Sequence, residues 1–99
     1  MNLRVGLGER SYDITIERGV LARAPELLDL KRKVMIVTDT GVPAAYPAAV
    51  SAYAEQPAVF VLEQGEQSKN FDNLQRILSV MTEAGFDRGD CVAAVGGGV

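Results

Sequence analysis

The stretch Val34-Met35-Ile36-Val37, closed by Thr38-Asp39-Thr40-Gly41, decides how this chain folds. A strand that is apolar on both faces belongs inside a parallel sheet covered by helices. Residues 58–62 and 91–95 are two further runs of the same kind and read as the second and third buried strands. Between the first and second lies an Ala-rich segment with Pro43 and Pro47, which suits a short turn and then a helix from about Pro47. Between the second and third, residues 71–84 place Leu74, Ile77, Leu78 and Met81 at i, i+3, i+4 and i+7. That spacing predicts an amphipathic helix whose stripe is core. Ser68 or Asn70 suits its N-cap, and Gly85 its left-handed end, with Phe86 reaching back to Met81.

Further toward the amino terminus, residues 3–7 and 12–16 alternate apolar and polar side chains around the turn-like Gly8-Glu9-Arg10-Ser11. This predicts a β-hairpin with one buried face. Gly19 then opens a helical stretch carrying Val20, Leu21, Ala24, Leu27 and Leu28, with a kink or restart at Pro25. Strands alternating with helices imply right-handed crossovers. The fold class is therefore α/β, a layered domain with a parallel sheet and an N-terminal β-hairpin. Residues 1–99 read as one domain. The chain runs from a buried strand into Gly96-Gly97-Gly98-Val99, a loop of the kind that feeds a helix, so it reads as cut after the glycine run.

Composition narrows the chemistry. In 99 residues, 47 % are hydrophobic and 23 % charged, enough apolar surface to offset chain entropy. The net charge of −3 argues against a general nucleic-acid binder. With no histidine and one cysteine, Cys91, the chain has no His-based acid–base pair, no internal disulfide and no His- or multi-Cys-ligated metal site. No signal peptide or run of about 20 apolar residues addresses it to a membrane, and cysteine usage suggests a reducing, cytoplasmic setting.

Ligands of open parallel sheets bind beyond the carboxyl ends of the strands. Three segments fall there: residues 38–41, Gln64-Gly65-Glu66-Gln67-Ser68-Lys69, and the glycine run. Their convergence argues for a nucleotide site. Asp39 suits hydrogen bonds from a ribose or an adenine amino group, and also a simple turn. Glu66 suits ribose hydroxyls and Lys69 a phosphate, and the two also suit a solvated surface pair. The glycines would let phosphate approach exposed N–H groups, or merely form a tight turn.

Taken together, Val37-Thr38-Asp39, Gly65-Glu66-Gln67-Ser68-Lys69 and Ala84-Gly85-Phe86-Asp87-Arg88-Gly89-Asp90 leading into Gly96-Gly97-Gly98-Val99 resemble the N-terminal portion of the 3-dehydroquinate synthase family, within the sugar-phosphate cyclases. The resemblance implies a Rossmann-like NAD-binding domain of a shikimate-pathway lyase, in aromatic amino acid biosynthesis. That enzyme converts the small phosphorylated sugar acid 3-deoxy-D-arabino-heptulosonate 7-phosphate into 3-dehydroquinate and phosphate. NAD oxidises a substrate hydroxyl and later returns the hydride, and a divalent metal, zinc or cobalt, polarises the substrate oxygens.

Carried over by position, Asp39 matches an adenosine contact, Gln64, Gly65, Glu66, Gln67, Ser68 and Lys69 the NAD-binding loop, and Gly97, Gly98 and Val99 the pyrophosphate segment. Gly41 departs from the family's frequent Asn, and Gln64 from its Gly, Pro or Asp. The metal and substrate domain is expected beyond residue 99, so the chain alone is expected to be inert. A homodimer is expected, with no nucleic-acid or membrane partner. Alternatives are the same domain of a 2-epi-5-epi-valiolone or 2-deoxy-scyllo-inosose synthase, or a standalone nucleotide-binding module.

Overall fold

A computed structural model describes residues 1–97. Strands β1 (Asn2–Val5) and β2 (Tyr12–Thr15) pair antiparallel, with Leu3 opposite Ile14 and Val5 opposite Tyr12. A single 3-10 turn, Gly8–Arg10, joins them. The hairpin is as expected, but its buried face is not. Leu3, Tyr12, Ile14 and Ile16 are all exposed, because no layer of the described residues lies over this two-stranded ribbon.

After Gly19, which adopts a left-handed φ of 72°, the expected helix splits into a 3-10 turn, Val20–Arg23, and one helical turn, α1 (Ala24–Leu27). Pro25 falls in the first turn of α1, where its missing N–H costs nothing, so it marks a restart.

The second sheet holds three parallel strands in the order β4-β3-β5: β3 (Lys33–Asp39), β4 (Gln56–Leu62) and β5 (Cys91–Ala94). Helix α2 (Ala45–Tyr53) crosses from β3 to β4, and α3 (Phe71–Glu83) from β4 to β5. Val34, Met35 and Ile36 of β3 are 0 % exposed. Val34 and Ile36 pack with Ala24, Leu30 and Val50 into the core on the α2 side. Met35, one residue out of phase, is buried on the opposite face.

The other two strands are half-buried on one face and exposed on the other. Val61 on β4 is 56 % exposed and Val92 on β5 is 54 % exposed. Both strands are edges, and each helix spans only part of its side of the sheet. The expectation of three buried strands is therefore corrected to one.

Helix α3 has the ends its sequence demands. The Asn70 side chain accepts the Asn73 N–H at 2.9 Å. At the far end Gly85 (φ 75°) donates to Thr82 O and Phe86 to Met81 O, at 3.1 and 3.0 Å. Lys33 Nζ closes that end by donating to Ala84 O and Gly85 O at 2.9 and 3.0 Å, where the C-terminal dipole favours a cation. The predicted core stripe is a second correction. Leu74 and Leu78 are exposed, and no residue of α3 is buried. The helix meets the sheet through contacts such as the Arg76 guanidinium over the Phe60 ring, 5.4 Å from its centroid.

Candidate functional site

Because β3, β4 and β5 are parallel, their carboxyl ends share one edge. The crossover from β3 steps to one side, and the next passes back over β3 to reach β5 on the other. Crossovers that diverge in this way leave a crevice beyond the central strand, the usual ligand position of open α/β sheets. The segments after β3, β4 and β5 lie at this edge.

The β3 and β4 segments are tied to each other. Thr40 N–H donates to Leu62 O at 2.9 Å, and Gln64 N–H donates to Thr40 Oγ1 at 3.0 Å. Thr40 Oγ1 also lies 3.4 Å from Glu63 Oε2. Asp39 ends β3 with its Oδ1 accepting the Gly41 N–H at 2.8 Å, so the turn role is real. Its Oδ2 accepts no hydrogen bond among the described residues and remains open to a ligand.

In the β4 segment Gly65 holds a φ of 125°, a conformation that favours glycine, and leads into the 3-10 turn Glu66–Ser68. Ser68 is buried, and its hydroxyl donates inward to Glu63 O at 2.6 Å, which fixes the loop. Gln67 O accepts the Asn70 side-chain amide at 2.9 Å, linking loop to helix. Glu66 and Lys69 face solvent as a pair, 3.4 Å apart. Such an exposed pair contributes under about 1 kcal/mol and opens readily to a ligand.

In the β5 segment Val95 N–H still donates to Val37 O at 2.9 Å, and Gly96 and Gly97 follow, exposed. A Cβ added at Gly97 would meet nothing within 4 Å, so its backbone faces open space. Gly98 and Val99 lie outside the described residues. Asp39, Glu66, Lys69 and Gly97 thus follow parallel strands to one edge, but no described cavity is lined by all four.

Two polar groups escaped sequence reasoning. A cleft of about 710 Å³ between α2 and β4 is lined by Thr38, Pro47, Ser51, Val59 and Val61, among others. Thr38 Oγ1 and Ser51 Oγ are buried without a hydrogen-bond partner. Thr38 lies at the end of an apolar run, where only its face and the packing of α2 reveal it. The clearest electrostatic shift lies elsewhere: Arg32, hydrogen-bonded to Asp29, holds that carboxyl below its ordinary range. Arg32 also donates to Gly89 O at 3.1 Å, anchoring the turn before β5. Among the described residues no three His, Cys, Asp or Glu are grouped to hold a metal ion, and no helix is long and apolar enough to cross a membrane.

In fold, the chain matches the crystal structure of 2-deoxy-scyllo-inosose synthase with a TM-score of 0.83 over 99 % of its length, at 19 % identity. It covers 29 % of that protein, which has also been crystallised with carbaglucose-6-phosphate, NAD+ and Co2+. The sheet and its edge loops are those of a Rossmann-like α/β domain. Residues 59–99 match the family model described as 3-dehydroquinate synthase N-terminal.

The whole chain is 38 % identical to 3-dehydroquinate synthase of Mesorhizobium japonicum and 37 % identical to that of Streptococcus pneumoniae. It spans 28 % and 30 % of those relatives. The chain is thus similar to the N-terminal region of 3-dehydroquinate synthases.

Proposed function

We propose that residues 1–99 are the NAD-binding N-terminal domain of a 3-dehydroquinate synthase. The whole enzyme is a lyase that takes 3-deoxy-D-arabino-heptulosonate 7-phosphate to 3-dehydroquinate and phosphate. The observation that carries this reading is the 38 % identity to such an enzyme across all of the chain. The structural likeness to a sister cyclase is at half that identity and speaks for the fold. The enzyme is placed in the cytoplasm, as a homodimer.

The residues present fit NAD at the open sheet edge. Asp39 Oδ2 is available to ribose hydroxyls while Oδ1 holds the Gly41 N–H. Glu66 offers a carboxylate to ribose, and Lys69 offers a cation to phosphate once the two separate. The open backbone at Gly97 leaves room for the pyrophosphate. Bound NAD supplies a reversible hydride acceptor. The residues do not fit a divalent metal: the chain has no histidine, and its described acids and Cys91 form no cluster.

The test is calorimetric titration of NAD into the full-length enzyme before and after Gly97→Val. A Cβ here meets no atom of the described residues within 4 Å, and circular dichroism of the variant checks that its fold is intact. NAD affinity should fall at least about tenfold, because the branched side chain occupies the space of the pyrophosphate. Unchanged affinity with an intact fold would overturn the placement.

A further inference from the structure

We infer that Asn73, in the first turn of α3, is a positioning residue. It holds the turn that carries Glu66 and Lys69 in place without itself touching a ligand. This rests on the NAD reading above and adds a residue outside the contacting set. Within α3 only positions 73, 77 and 81 are half-buried, and every other residue of the helix is exposed. Spaced i, i+4 and i+8, they form the row that faces the sheet. Ile77 and Met81 are apolar there, and Asn73 is the polar member.

Both ends of its carboxamide are engaged. Nδ2 donates to Ser68 O at 2.7 Å in a half-buried bond, and Oδ1 accepts from Arg76 Nη1 at 3.1 Å. Turned over, the amide would set oxygen against the Ser68 carbonyl and N–H against the guanidinium, so one orientation alone satisfies both neighbours. Arg76 is in turn seated over the Phe60 ring of β4.

The hydrogen bonds inside the turn are local: Ser68 N–H to Gly65 O, Lys69 N–H to Glu66 O and Asn70 N–H to Ser68 O. They give the turn its shape. Its place relative to the fold comes from elsewhere. Thr40 holds the start of the loop at Gln64. Farther on, two bonds converge on buried Ser68: its hydroxyl donates to Glu63 O, and its carbonyl accepts from Asn73. Glu66 lies two residues before this anchor and Lys69 one after it. Without Asn73, Ser68 O still accepts the Asn70 N–H, so no buried acceptor is orphaned. What is lost is the placement, and a ligand must then order the turn as it binds.

The test is calorimetric titration of NAD into the full-length enzyme. Asn73→Asp keeps the shape and the Arg76 partner but has no hydrogen to give Ser68 O, and Asn73→Ala removes both contacts. Each should weaken NAD about three- to tenfold, with the thermal midpoint of the free enzyme moved by no more than about 2 °C. In a Glu66→Ala/Lys69→Ala background the same Asn73 changes should have no further effect, because the turn has nothing left to present. A merely structural role would weaken NAD by the same factor in both backgrounds.

That equality would overturn the proposal, as would full affinity in both Asn73 variants. The Glu66→Ala/Lys69→Ala enzyme separates the two readings. If it is weakened while the Asn73 variants are not, the positioning role alone fails. If it binds NAD at full affinity, the NAD reading of this turn fails and the proposal with it.

Discussion

Strands β3 and β5 lie side by side, with Val34 opposite Cys91 and Ile36 opposite Ala93. Both are apolar runs, yet their surroundings differ. Val34, Met35 and Ile36 have no exposure, whereas Val92 of β5 keeps more than half of its surface open. The first is flanked by a strand on each side and covered on both faces. The second is an edge. An apolar run reports what a strand is suited to be buried against, and topology decides whether the neighbours arrive.

Substitutions that separate the two strands give the sharpest checks. Ile36→Ala should cost about 3 kcal/mol in urea unfolding, through lost burial and a cavity. A loss below about 1 kcal/mol would mean that the central strand is no better packed than its neighbour. Val34→Thr should cost about 2 kcal/mol, because it sets a hydroxyl without a partner into a fully covered position. The same change in β5, Val92→Thr, should stay within about 0.5 kcal/mol, since water solvates the hydroxyl and the residue remains β-branched. Equal losses for the two valine variants would erase the distinction between centre and edge.

The same contrast explains what was legible in the sequence. The strands and α3 could be read from local signals: apolar runs, the Asn70 cap, and Gly85 with Phe86. The order β4-β3-β5 is non-local, and with it the exposure of Val61, Val92, Leu74 and Leu78. The hairpin's alternation was equally clear, but alternation implies a buried face only when a partner layer exists. At the candidate site, Asp39, Glu66 and Lys69 stood out by position after a strand. The contact between Thr40 and Gln64 could not be read, because the two are far apart in sequence and meet only when β3 and β4 pair in register. Thr38 reads in the sequence as part of the segment that closes the strand, whereas it lies inside β3 with its hydroxyl buried.

The central place of β3 also gives its two pairings unequal reach along the chain. Ile36 meets Val59 on one side and Ala93 on the other. The second contact closes a loop more than twice as long as the first, an added entropic cost of about 0.8 kcal/mol. Loop closure therefore favours the β3–β4 pairing over the β3–β5 pairing. Gly96 and Gly97, which follow β5, are thus joined to the sheet through the longer-range of its two pairings.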